Sequence, residues 1–265
     1  MTNSKVSDNY LVHSLAKGLK VLASFDYNSK ELSIQEISKK TGIHRTTVHR
    51  SIYTLEQEGF VERDDKTGKY RLSVKLFELG NIFASGMELR QCARLPLENL
   101  ANNNLVSAHL AVRDEWEAIY IDKVEPQESM LRYSRIGKKV PLYCTAIGKI
   151  LLSGIKVEKI IQGYANSSFS FKKRTPNSIG SIDEVIKEIE AVKRLGYAID
   201  NEEFELGIKC IAAPVLDYNS NVVAAISASG TTSQLSEDKA RDLIKKVQET
   251  ARQISVRLGW VDKSP

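Results

Sequence analysis

Two short helical signals joined by a glycine, within Ser33–Leu55, constrain this chain more than any other feature. Ser33-Ile34-Gln35-Glu36 has the form of a capping box. The serine oxygen can accept an orphan amide at a helix start, and the glutamate can reach back to the serine N–H. The helix so begun carries Ile34 and Ile37 and stops at Gly42, a residue suited to the left-handed position that ends helices. A second helix starts three residues later. Val48, Ile52 and Leu55 lie at i, i+4 and i+7 and so share one face, which predicts an inward stripe. The opposite face presents Arg45, Thr46, Thr47, His49, Arg50 and Tyr53. Arginine and histidine can donate to base acceptors in a DNA major groove, and threonine hydroxyls and methyls suit bases or phosphates. Upstream, Ser14 is the expected cap of a first helix with Leu15, Leu19, Leu22 and Phe25 at helical spacing. Downstream, Phe60–Arg63 and Lys69–Leu72 flank the turn Asp64-Asp65-Lys66-Thr67-Gly68. Alternation puts Tyr70 and Leu72 on one side of that hairpin and Lys69 and Arg71 on the other, with Lys66 at the tip. The order helix, short helix, glycine turn, basic helix, basic hairpin reads as a winged helix-turn-helix over residues 10–73.

Each piece alone has a plainer reading: a solvated helix face, a surface turn, or a winged helix that docks on protein. Charge placement weighs against these. Residues 1–72 hold 12 basic and 9 acidic side chains, so +3 of the net +5 sits there. From Ile37 to Leu55 no acid occurs, yet Lys39, Lys40, Arg45, Arg50, His44 and His49 do. An acid-free basic window suits a phosphate partner, here double-stranded DNA.

The 265 residues suit two domains. No run of about 20 apolar residues is present, so no bilayer-spanning helix is expected. The polar start carries no apolar signal segment, and Cys92, Cys144 and Cys210 are too far apart for a disulfide framework or a C-x-x-C metal pair. A reduced, cytoplasmic protein without membrane contact is expected. Val74 onward reads helical, with Gly80 and Gly86 as weak points, and 74–90 is taken as a linker helix that pairs with its copy in a dimer or packs under the next domain. Pro96 is expected to break the helix or open a new one.

Residues 91–262 alternate strand-like and helix-like stretches. Strands are expected at Val106–Val112, Ala118–Val124, Met130–Ile136, Cys210–Leu216 and Val222–Ala228, with Arg113-Asp114-Glu115 as a turn and Gly137–Pro141 closing the third strand. Helices are expected at Thr145–Leu152, Lys156–Tyr164, Asp183–Leu195 and Ser236–Leu258. The fold class is α+β, with a largely antiparallel sheet and helices packed on it. Catalytic constellations do not assemble. Gly148-Lys149 matches the end of a phosphate-binding loop, but Tyr143 stands where its first glycine belongs. There is no G-x-S-x-G elbow and no metal-ligand spacing, and His109 is this domain's one histidine. A binding domain is therefore expected rather than an enzyme. An enzyme with an accessory winged helix, and a sensor that acts through protein partners, are the competing readings.

The chain resembles the IclR family of bacterial transcriptional regulators over nearly its whole length. Ser14–Leu22 resembles the family's first helix, and Thr41–Arg50 its turn and recognition helix, with His44 where a proline is common. The segment from Arg135-Ile136-Gly137 to Pro141–Lys149 resembles the entry to the effector pocket. Gly196–Glu203 and Cys210–Asp217 fit the C-terminal signature, with Leu216 where an aromatic or histidine is usual. The resemblance implies a GAF-like effector-binding domain, no cofactor, a repressor acting as a dimer or tetramer on a near-palindromic operator, and a small-molecule effector. The matching pocket positions are Ala146, Ile147, Asp200, Cys210, Ser227 and Ser229. Amides at a helix start near Thr145–Ile147 can hold a carboxylate, and Ser227 and Ser229 alternate onto one strand face. An organic or sugar acid would suit both, with Asp200 taking a ligand hydroxyl.

Overall fold

A computed structural model describes residues 11–126, 134–166 and 171–261. The chain divides after Gly86 into two compact units, which are taken in turn.

In the first unit, α1 (His13–Leu22) is followed by β1 (Glu31–Leu32), α2 (Ile34–Thr41), α3 (Arg45–Gln57), β2 (Val61–Arg63), β3 (Tyr70–Leu72) and α4 (Val74–Ser85). The capping box forms as the sequence implies: Ser33 Oγ accepts from Glu36 N, and Glu36 Oε2 accepts from Ser33 N at 2.7 Å. Gly42 adopts φ 72°, the left-handed end of α2. His44 caps α3, its Nδ1 accepting from Thr46 N at 3.4 Å. Val48 and Ile52 are buried with Val21, Phe25, Leu32, Ile37, Val61 and Tyr70, while Leu55 packs at the edge.

Several expectations need correction here. Ser14 is not the cap of α1: the helix starts two residues earlier than that cap implies, at His13, behind Val12 and without a side-chain cap. Leu15 and Leu19 face out, and Val21 takes the inward position. Helical spacing defines a stripe but not which part of it is covered. In the hairpin Tyr70 is buried, but Leu72, at the strand end, is exposed. The small sheet has order β1-β3-β2; the two-residue β1 is too short for periodicity to reveal.

The second unit runs α5 (Glu88–Asn104), β4 (Ser107–Asp114), β5 (Glu117–Val124), β6 (Lys139–Pro141), α6 (Ala146–Ser153), α7 (Val157–Asn166), α8 (Ile182–Leu195), β7 (Ala198–Asn201), β8 (Ile208–Leu216), β9 (Val222–Thr231) and α9 (Glu237–Arg257). The sheet order is β6-β5-β4-β9-β8-β7, with every neighbouring pair antiparallel. Its two faces build separate cores. On one, Leu110, Ile211, Ala213, Ile226 and Ala228 pack with α5 and α9. On the other, Ala111, Ala198, Ala212 and Ala225 pack with α6, α7 and α8.

Pro96 neither breaks a helix nor starts one; it is buried inside α5. It cannot donate to the carbonyl four residues back, and Arg257 Nη1 fills that gap by donating to Cys92 O at 3.1 Å. The helical break falls instead at Gly86-Met87. Of the expected third strand, 130–133 lie outside the described residues and Ser134–Ile136 are not strand; the short strand here is β6. β4 runs through Asp114, so the turn centres on Glu115, at φ 51°. No described helix is long and apolar enough to cross a membrane.

Candidate DNA interface and effector pocket

The stripe that buries Val48 and Ile52 turns Arg45, Thr46, His49, Arg50 and Tyr53 outward, all exposed, with Thr47 half-buried beside them. No carboxylate is paired with any of these in the described structure. The wing differs. Arg71 Nε donates to Glu62 Oε1 at 2.6 Å, with Glu31 3.9 Å away, and Lys69 Nζ meets Glu36 at 3.5 Å. These pairs are half-exposed, and solvent screening leaves such pairs little net strength. They fix the wing's side chains weakly, and a phosphate can displace the carboxylates. Lys66 sits at the tip, where Asp64 Oδ1 accepts the Lys66 and Thr67 amides and shapes the turn.

The second unit brings together residues distant in sequence. Strand register places Asp200 beside Cys210, Cys210 beside Ser229, and Ser229 beside Ser107. Asp200, Cys210 and Ser229 thus form one row across β7, β8 and β9. The next row on that face is Ala198, Ala212, Ser227 and His109. Ser229 Oγ donates to Cys210 Sγ at 3.1 Å, and Ser227 Oγ lies 3.3 Å from His109 Nδ1. Beside these rows is a small cavity of about 40 Å³, bordered by His109, Tyr120, Lys138, Asp200, Phe204, Glu205 and Cys210, with Ser229 on its wall. Ser227 supports the cavity from behind, through His109. Ala146 and Ile147 do not border it; both are buried in the core at the start of α6. There Thr145 Oγ1 accepts from Gly148 N and donates to Pro141 O.

Electrostatics set the chemistry of the floor. Asp200 Oδ1 accepts from Glu203 N at 2.7 Å and Phe204 N at 3.3 Å. Burial nevertheless pushes its carboxyl up to about 7, since desolvation disfavours the charged form. Burial, with the Lys123 charge, drives His109 down to about 3, so the ring is neutral. Its Nε2 lies 2.7 Å from Ser134 Oγ. Burial also raises the Cys210 thiol well above its usual range, and the nearby Asp200 adds to this. A protonated thiol is a poor nucleophile. Behind the floor, Lys149 Nζ donates to Glu203 Oε1 (2.6 Å), Glu188 Oε2 (2.9 Å) and Ile199 O (2.9 Å). Burial disfavours its charge, but the two carboxylates outweigh burial and hold the ammonium above its ordinary value. Lys149 is therefore a clamp between α6 and the 199–203 turn, not a phosphate ligand.

The comparisons follow this division. Residues 14–65 match the IclR helix-turn-helix domain, and residues 82–256 match the bacterial transcriptional regulator IclR C-terminal domain. The chain belongs to the IclR family. It is therefore a DNA-binding transcriptional regulator with a C-terminal effector domain, in a family of regulators rather than enzymes. It is 32% identical to the HTH-type transcriptional regulator XynR of Escherichia coli strain K12, over 94% of this chain and 98% of that one. The IclR regulator from Alicyclobacillus acidocaldarius superposes with a TM-score of 0.83, at 27% identity, over 94% of this chain and all of that one. An IclR homologue from Microbacterium hydrocarbonoxydans, complexed with 4-hydroxybenzoate, shares the fold at a TM-score of 0.80 and 21% identity, over 93% and 99% of the two chains. Within this IclR-family domain, Tyr120, Lys138 and Phe204 border the cavity although no sequence pattern marked them. Lys138 had one available signal, its place directly after Gly137 in the pocket-entry segment.

Proposed function

We propose that this chain is a cytoplasmic repressor that binds a near-palindromic operator as a homodimer and is controlled by a small organic or sugar acid. The carrying observation is the three-strand row Asp200, Cys210 and Ser229, set against a closed apolar sheet face beside a cavity. Such a site is concave, mostly apolar and marked by few polar groups, as small-molecule sites are. Small organic acids include the 4-hydroxybenzoate bound by the Microbacterium homologue. Asp200, which titrates near 7, can donate to a ligand oxygen in its protonated form and accept from a hydroxyl in either form.

On the DNA side, Arg45, Thr46, Thr47, His49, Arg50 and Tyr53 would enter the major groove, and Lys66, Lys69 and Arg71 would meet phosphates from the wing. Two copies would place their α3 helices about 34 Å apart on successive grooves. Support for a dimer comes from α4, whose Val74, Phe77, Ile82 and Phe83 are exposed. Repression is the simpler output: a dimer seated on a promoter excludes polymerase without a further contact. The effector would act by binding the DNA-competent and DNA-incompetent states with different affinity.

An electrophoretic shift with operator and scrambled duplexes tests the DNA half. Arg45→Ala should lose about 1–3 kcal/mol of preference for the operator while scrambled binding changes little, as for a side chain that reads a base edge. Equal losses on both duplexes, with a shallower salt dependence, would make Arg45 a phosphate contact. Unchanged binding would remove it from the interface.

A further inference from the structure

We propose that Asp122, Arg90 and Arg94 form an exchange latch between the cavity wall and the start of α5, in which two arginines one helical turn apart compete for one buried carboxylate. The latch passes the state of the wall toward the DNA-binding unit. It rests on the pocket reading above and adds the route of control to it.

Three observations carry the assignment. First, β5 changes face between the cavity and α5. Residues two apart on a regular strand share a face. Here the register against β4 slips: Ala111 lies opposite Tyr120 but Leu110 lies opposite Asp122, so Ile121 is an extra residue. Such a bulge re-aims the side chains around it. Tyr120 therefore borders the cavity, where its ring packs 5.0 Å from that of His109. Asp122 lies on the opposite face with Leu110 and meets two arginines of α5. The cavity wall and the helix anchor are thus two residues apart on opposite sides of the sheet.

Second, Asp122 is held unevenly. Its residue is 1% exposed, so its charge needs a partner. Its Oδ1 accepts from Lys123 N at 2.8 Å and from Arg94 Nη1 at 3.2 Å. Arg90 Nη2 stops at 3.8 Å, beyond hydrogen-bond reach. Arg90 Nε is buried and makes no hydrogen bond among the described residues. A buried donor left unmatched is costly, so Arg90 gains from a closer approach. Arg94 has somewhere else to go: its Nε donates to Glu98 Oε1 at 2.7 Å, and half of its side chain is in solvent. Two arrangements therefore lie close together, one with Arg94 on the carboxylate and one with Arg90. Packed interfaces shift between such discrete states rather than deforming continuously.

Third, the arginines sit where a change of grip can be passed on. α5 begins at Glu88, and Met87 O accepts from Arg90 N at 3.0 Å. The division between the two units falls just before, after Gly86, where α4 ends. A ligand that moves Tyr120 moves the bulge, and the bulge carries Asp122 toward one arginine or the other. The exchange acts on the first turn of α5, next to that division.

The test uses the full-length protein and an operator duplex selected by the wild type from a random pool. Arg90→Gln leaves only the Arg94 grip, and Arg94→Gln leaves only the Arg90 grip. The two variants should shift operator Kd in opposite directions, by roughly two- to thirtyfold each, the range found for residues that modulate coupling. In an Asp122→Asn background neither arginine change should have a further effect. Tyr120→Leu, on the cavity wall, should alter operator Kd when Asp122 is present and alter it little in Asp122→Asn. A cooperative melt of each variant shows that it is folded. Should Asp122→Asn melt below the assay temperature, the two arginine variants decide alone. Shifts of the same sign, or no shift in either, overturn the latch and leave a structural ion pair. A Tyr120→Leu effect of equal size with and without the Asp122 carboxylate overturns the link to the cavity. A second arm uses glycolate, lactate, pyruvate, gluconate and 4-hydroxybenzoate. An acid that stabilises the wild type should keep its Kd in Asp122→Asn and lose its effect on operator Kd. An undiminished effect there overturns the latch. No stabilisation by any acid overturns the organic-acid reading, while the arginine pair still decides the latch.

Discussion

Asp200 joins the pocket to solution pH. In the folded chain its carboxyl titrates near 7, chiefly because it is buried. An unfolded aspartate titrates near 4. Between those values the folded state holds a proton that the unfolded state has lost. Stability from this group is therefore fully present at low pH and falls as pH rises from about 4 to about 7, by at most about 1.4 kcal/mol per unit. Above that window both states are ionised and the contribution is flat. Asp200→Asn keeps an oxygen that can accept from the Glu203 and Phe204 amides but cannot ionise. Its melting temperature should approach that of the wild type near pH 4 and exceed it progressively up to about pH 7, with a constant difference above that. Parallel melting curves across that range would mean that Asp200 is ionised in the fold at all these pH values. The neighbouring Lys149 shows why the turn holds its shape: its ammonium has three acceptors, two of them carboxylates on different elements.

At the scale of elements, α6 is positioned by what it lacks. A Cβ added at Gly148 would lie 2.3 Å from Leu142 Cα and Leu142 O, both backbone atoms that cannot swing aside. In an unhindered helix, alanine would gain about 1 kcal/mol over glycine. Here the steric term wins, because overpacking against fixed backbone costs about 1–3 kcal/mol or more. Gly148→Ala should therefore lower the melting temperature by several degrees in a domain of this size. A melting temperature equal to or above the wild-type value would show that α6 slides freely. The same contrast explains what the sequence could convey. The Ser33–Glu36 capping box, the Val48–Ile52 stripe and the α8 helix depend on spacings within one or two turns, and these are readable along the chain. The row Asp200, Cys210, Ser229 depends on register between three strands, and no spacing encodes it; the family likeness pointed to these positions without their geometry. Phe204 lies still further from any local signal, and the place of Lys138 after Gly137 marks a segment without its neighbours, since the two residues meet only when β5, β6 and the 199–204 turn are assembled. Pro96 misleads for a related reason. Its helix survives because Arg257, more than 150 residues away, supplies the missing donor.

For the whole molecule, α4 poses the question that one chain leaves open. Val74, Phe77, Ile82 and Phe83 are each about 70% exposed, yet at 100° per residue they are spread around the helix rather than gathered in one stripe. So many large apolar side chains exposed on one helix mark an interaction site. A second copy is the cover proposed here, because a palindromic operator needs two recognition helices held at fixed spacing. Phe77→Glu with Ile82→Glu places charges on two separate faces of α4 without touching the α3 stripe or the cavity. Wild type should sediment as a dimer or larger assembly and the double variant as a monomer. Operator affinity should fall on the order of 100-fold or more, because the second half-site contact is no longer tethered to the first. Stabilisation by an effector acid should persist in the monomer, since the cavity lies within one effector domain. A double variant that remains dimeric would move the dimer interface off α4. Loss of both dimer and effector response would mean that the pocket depends on the partner chain.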